Sequence, residues 1–178
     1  MKRIIVFTLF SAFIISCSNN NKEKETLKIK ELEKTTLTSN TVSIDVNKAK
    51  ELVDAYINFV KNYPKDSASA NYLFKAANIS MNIGKAQLSV ELFDQIMKDY
   101  PDFNKAADCM FMKAFVYDDK LKNINKAGEI YRAFIKKYPS HEFADDAQAC
   151  LDNLGKTPEQ LIKEFEAKQK QDSLSLKK

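Results

Sequence analysis

Asp118-Asp119 and Asp145-Asp146 are paired carboxylates, the residue type used by general acid–base chemistry and by divalent cations, and His141 is the single histidine. The pattern argues against both chemistries. Successive residues on a helix point about 100° apart, so adjacent acids do not converge on one proton or one ion, and acids near helix ends are ordinary. His141 follows Ser140 at a helix start, and a lone histidine in a turn lacks the converging groups of a catalytic triad. No enzyme activity, metal site or small-molecule substrate is expected.

Binding chemistry is better represented. Asn71, Lys75, Asn78 and Asn82 follow one another at spacings of four, three and four, which places them on one helical stripe. Asparagine offers a donor and an acceptor and lysine three donors, so the stripe suits a peptide backbone or a carboxylate. A solvated helix face is the alternative. On a later helix the equivalent stripe is Phe111, Phe115 and Asp119, with Met112 beside it. Aromatics there either anchor a partner or pack into the core. Asn71, Lys75, Asn78, Asn82, Phe111 and Phe115 are the candidate groove residues, whereas Phe59, Phe93, Tyr131 and Phe134 are expected in the core.

The elements that position these side chains repeat. Tyr63-Pro64, Tyr100-Pro101 and Tyr138-Pro139 lie 37 and then 38 residues apart, counted proline to proline. The eighth position before each proline is Tyr56, Phe93 or Tyr131, the fifth Phe59, Ile96 or Phe134, and the fourth Val60, Met97 or Ile135. A period of this size marks one supersecondary unit stacked on copies of itself. Each proline ends a helix, and Asp45, Asp66, Asp102 and Ser140 suit the first turn of the next. Gly84 and Gly155 mark helix C-termini, and Thr157-Pro158-Glu159-Gln160 is a capping box. Helices are expected over 46–62, 67–83, 86–99, 103–119, 124–137, 141–154 and 158–171, the last with Leu161, Ile162 and Phe165 on one face. The fold class is all-α, and domain boundaries fall at 46–172 for the repeats and 173–178 for a polar tail.

Met1-Lys2-Arg3 precedes an uncharged apolar run from Ile4 to Ile15, which is too short for the roughly 20 helical residues a bilayer needs. It has the form of a cleaved leader over residues 1–16. Ile14-Ile15-Ser16-Cys17 resembles the lipobox of bacterial lipoproteins. That resemblance implies a covalent lipid on Cys17, no other cofactor, and membrane attachment through the lipid alone. Ser18 after the modified cysteine implies, by the same resemblance, the outer membrane. Residues 17–45 are polar with few apolar groups and read as a flexible tether spanning roughly 30 Å. The modest alternation at Leu27, Ile29 and Leu32 leaves open a short strand or helix docked on the body.

Without the leader the chain has 26 basic and 24 acidic side chains, and Arg132 is its remaining arginine. Nucleic-acid recognition leans on the arginine fork, so nucleic acid is not an expected partner. Cys109 and Cys150 sit in a compartment that permits a disulfide, but both lie in apolar helical stretches of successive repeats. Two buried free thiols is the favoured reading.

Residues from about Ala49 to Gly155 resemble tetratricopeptide repeats. Leu73, Ala76, Ala77, Ser80, Ser89, Phe93 and Ile96 take the motif positions of one repeat. Met110, Ala114, Tyr117, Ala127, Tyr131 and Phe134 take those of the next, with one extra residue around Asp118 to Asn125 and Lys113 at a normally apolar position. The segment before Pro64 matches only the second helix of a repeat, and Phe143 to Gly155 only the first. The resemblance implies a TPR-like α-solenoid of stacked antiparallel helix pairs. With the lipobox, the chain is similar to envelope tetratricopeptide lipoproteins of the BamD and CpoB type. This implies a periplasm-facing scaffold whose partner is an envelope protein or peptide segment. A fixed subunit of an outer-membrane assembly, held through its ends or convex face, is the alternative.

Overall fold

The computed structural model describes the backbone of residues 14–37 and 45–175, with side chains over 20–36, 45–170 and 173. The leader lies outside these residues except for the backbone of 14–16, as do the last three residues of the tail. Among the described residues every regular element is helical: α1 (Ile14–Leu37), α2 (Val46–Asn62), α3 (Ser69–Asn82), α4 (Ala86–Asp99), α5 (Ala106–Phe115), α6 (Ile124–Lys137), α7 (Ala144–Asn153) and α8 (Pro158–Ser175). A π-helical turn, Val116–Lys120, continues α5. No described helix is long and apolar enough to cross a membrane. The fold is all-α and TPR-like, with α1, α2 and α3 packed in turn in one part of the chain and α4, α5, α6 and α7 packed in turn in the other.

α2, α4 and α6 have the limits expected from sequence. Asp45 Oδ1 accepts from the amides of Asn47 (2.9 Å) and Lys48 (3.2 Å), and Asn123 Oδ1 accepts from Lys126 (3.1 Å), satisfying first-turn donors. α3, α5 and α7 start later than expected because each Tyr-Pro is followed by two successive turns. The carbonyl of Tyr63, Tyr100 or Tyr138 accepts from the amide three residues on, at 3.0, 3.0 and 3.1 Å. The carbonyls of Asp66, Phe103 and His141 do the same at 3.0, 2.9 and 2.9 Å. Asp66 therefore accepts from Ala68 within the turn, and the helix caps are Ala68, Lys105 and Phe143, not Asp66, Asp102 and Ser140. The capping box holds, with Gln160 N–H donating to Thr157 Oγ1 (3.3 Å) and Thr157 N–H to Gln160 Oε1 (2.8 Å).

The described residues divide into two compact units, residues 1–85 and 86–178. In the first, the tether expectation is corrected: α1 packs along α2 instead of trailing free. Glu25 pairs with Asn62, Glu33 with Tyr56, and Lys22 with Asp66, so residue numbers rise along one helix as they fall along the other. The two helices are antiparallel. Ile29 and Thr36 of α1 are buried, as are Leu52, Val53, Tyr56, Phe59 and Val60 of α2. Tyr72 of α3 stacks on Tyr56 at 5.1 Å and meets Phe59 edge-on at 4.9 Å. α1 thus supplies the first helix of a pair that the sequence left as half a repeat.

In the second unit Ala114, Ala127, Ile130, Tyr131, Phe134 and Ala147 form the core of α5, α6 and α7. The helix after Pro64 fills the fifth to eighteenth positions beyond that proline; the one after Pro101, π turn included, fills the fifth to nineteenth. The extra residue of the 38-residue interval is therefore absorbed as a π turn, closed by Leu121 N–H donating to the Val116 carbonyl (3.0 Å). Lys113, polar at an apolar motif position, donates from Nζ to Asp94 Oδ1 at 2.5 Å. Leu161, Ile162 and Phe165 of α8 are 37%, 58% and 61% exposed.

Candidate functional site

The stripe on α3 is placed as its spacing requires, but its four residues differ in what they have left to offer. Asn71 and Asn82 are exposed, while Lys75 and Asn78 are half-buried. Asn78 Nδ2 donates to the Phe74 carbonyl one turn back, at 2.7 Å. Lys75 Nζ donates to Glu33 Oε1 at 2.7 Å, and the Tyr56 hydroxyl donates to the same oxygen at 2.6 Å. The ammonium also lies 6.0 Å from the centres of the Tyr56 and Tyr72 rings, within reach of a cation–π contact. Lys75, a candidate for reading a partner's backbone or carboxylate, instead pairs with a carboxylate supplied by α1.

That network is electrostatically tight. Burial pushes the Glu33 carboxyl up, and the hydrogen bonds from Lys75 and Tyr56 together with nearby lysine charge outweigh it, holding Glu33 below the usual glutamate range. Burial first, then the Glu33 carboxylate, pushes the Tyr56 hydroxyl far up, so it stays a donor. At the other end of α1, the hydrogen bond from Lys22 and then the Ala68 amide lower Asp66. The signal for this docking is present in sequence: Lys22, Glu25, Ile29, Glu33 and Thr36, spaced three, four, four and three, share one face. That face carries little apolar area, which hid it.

The aromatic stripe on α5 belongs to the second unit. Phe111 stacks on Phe143 of the segment leading into α7, at 4.9 Å and 20°, and tilts against Tyr131 (6.0 Å) and Phe134 (5.8 Å) of α6. It packs three elements together and so falls on the core side of the two sequence readings. Phe115 and Met112 are half-buried, and Asp119 is ion-paired with Lys120 at 2.7 Å.

Asp108, His141 and Glu142 place ligand atoms within 4.8 Å of one another, a grouping sequence reasoning missed. Hydrogen bonding commits the histidine elsewhere. Its Nδ1 accepts from Phe143 N–H (3.3 Å), which puts the ring proton on Nε2, and Nε2 faces Asp108 Oδ1 at 3.3 Å. The nitrogen that would ligate carries the ring proton and lies against the Asp108 carboxylate, so the grouping reads as a structural His–Asp contact. The imidazole is wedged beside Phe134 (5.6 Å) and Phe143 (5.5 Å). Asp145 and Asp146 are exposed, and burial raises Asp118.

Cys109 and Cys150 are both free thiols. Cys109 is buried, and burial followed by the Asp108 charge pushes it up to about 12, which leaves it inert as a nucleophile. Cys150 is only half-buried, less enclosed than expected, and lies beside the hydroxyl of Tyr131.

Residues 72–102 and 108–141 each match the model of the tetratricopeptide repeat. No curated protein matches the chain. All seven motif positions read in the first repeat, Leu73 to Ile96, are buried, and four of the six in the second are buried with Met110 and Tyr117 half-buried. Tetratricopeptide repeats are binding modules for protein and peptide partners, and proteins built from them are generally scaffolds without catalytic activity.

Proposed function

We propose that this is a non-enzymatic lipoprotein of a bacterial outer membrane, facing the periplasm, whose repeats hold a segment of another envelope protein. The observation that carries the scaffold reading is the pair of matched repeats, with Asn71 and Asn82 of α3 open to solvent. The leader and the Ile14-Ile15-Ser16-Cys17 tetrapeptide support the anchor. A lipid on Cys17 concentrates the repeats at the membrane, so weak docking becomes effective. Affinity capture after mild cross-linking in intact membranes tests it. A discrete protein partner is expected, and its recovery is reduced in Asn71→Ala/Asn82→Ala. Recovery unchanged by that double variant removes α3 as the docking helix.

One observation favours a second reading, a fixed subunit of an outer-membrane assembly. Leu161, Ile162 and Phe165 are exposed together on α8 and line a hollow of about 830 Å³ with Asn153. Deletion of residues 158–178 that releases the protein from a stoichiometric complex selects this reading.

A further inference from the structure

Because α1 is docked along α2, little free chain separates Cys17 from the folded body. The first contact among the described residues is the ion pair of Lys22 with Asp66, five residues beyond Cys17. Five residues span about 7.5 Å as helix and about 17 Å at full extension. A 28-residue coil would instead have allowed roughly 30 Å. The antiparallel pairing of α1 and α2 fixes which end lies near the anchor. It is the end bearing Lys22, Lys24, the C-terminus of α2 and the Tyr63-Pro64 turn. The N-terminus of α2 lies the length of that helix away, about 25 Å for its 17 residues.

We propose that the Tyr63-Pro64 end of the first unit rests on the phospholipid headgroup surface of the membrane that holds Cys17, an inference that depends on the lipid anchor proposed above. Lys24, Lys61 and Lys65 are exposed at this end and make no ion pair among the described residues. Against them stand exposed Glu23, with Glu25 and Asp66 already tied to Asn62 and Lys22. With Lys22 counted, four lysines face three acids, and the unpaired ammonium groups of Lys24, Lys61 and Lys65 suit lipid phosphates. The short connection sets the position, and the charges are compatible with it.

The sequence has no tryptophan, so a single introduced indole reports one place. The full-length acylated protein is reconstituted in phosphatidylethanolamine–phosphatidylglycerol vesicles containing a lipid with a nitroxide on its headgroup. Lys65→Trp is expected to lose most of its emission, and Val46→Trp, at the opposite end of α2, to keep its own. Lys61→Trp is a second reporter at the near end should Lys65→Trp misfold. Equal emission at both ends, whether quenched or not, overturns the apposition while an acyl mass on Cys17 leaves the anchor standing. Absence of that mass overturns the anchor and this inference together.

Discussion

At the scale of single residues, the eighth position before each proline separates packing from hydrogen bonding. Tyr56 and Tyr131 are both fully buried and occupy equivalent places, but Tyr56 donates to Glu33 at 2.6 Å. The Tyr131 hydroxyl has no nitrogen or oxygen partner, only the soft Cys150 thiol beside it. A hydrogen bond to a charged group contributes about 1.5–3 kcal/mol, whereas removing a buried hydroxyl that lacks a good partner is neutral or stabilising. Tyr56→Phe is therefore expected to lower stability by about 2 kcal/mol in urea denaturation. Tyr131→Phe leaves it unchanged or raises it by up to about 1 kcal/mol. An equal loss in both would contradict the difference. The same network sets a pH dependence. Glu33 and Asp66 are held below their unfolded values, so their contribution is complete above about pH 4.3 and is lost as pH falls through the folded values. The thermal midpoint should fall in that acid range, and Glu33→Gln should be less stable at neutral pH with a flatter acid limb.

At the scale of elements, what was legible in the sequence was whatever local signals determine. α2 and α6 begin at residues whose own side chains cap them, and the proline after each Tyr ends them, so their limits could be read without knowing the fold. α1 could not be read that way. Its stability comes from partners distant in sequence, Asn62, Asp66, Tyr56 and Lys75, and among the described residues its single fully buried apolar side chain is Ile29. A composition argument sees only its polarity. The candidate stripe shared this limit: spacing placed Lys75 correctly, but its carboxylate partner lay in a segment read as tether. If Ile29 holds α1 down, Ile29→Asp buries an unpaired carboxylate and costs about 3 kcal/mol or more. Limited proteolysis should then cut first within residues 20–36, and cleavage elsewhere first would refute the docking. The loop after the π turn gives a prediction of opposite sign. Gly84 takes a left-handed conformation at φ 76° on the twentieth position after Pro64; once the inserted residue is allowed for, its equivalent is Lys122, at φ 51°. A side chain there is strained, so Lys122→Gly should stabilise by up to about 1 kcal/mol, the glycine entropy offsetting part of the relief.

At the scale of the whole molecule, the polar face of α3 and the apolar face of α8 are different kinds of docking surface and imply different behaviour. Asn71 and Asn82 are solvated and give directional hydrogen bonds, suited to a partner that comes and goes. Leu161, Ile162 and Phe165 together form a patch whose burial is worth more than any rim contact, suited to a permanent interface. Phe165→Asp places a charge in that patch at a residue 61% exposed, so the fold itself should tolerate it. If a permanent assembly uses α8, this single change should shift the detergent-solubilised protein from a large complex to its own size on a gel-filtration column. If the repeats act as a scaffold through α3, Phe165→Asp should leave the captured partner in place, while Asn71→Ala/Asn82→Ala reduces it and leaves the column profile unchanged. The two surfaces contribute independently only if the four-way comparison of wild type, each variant and their combination is additive in capture. A combined loss larger than the sum would mean that the two surfaces are energetically coupled in capture.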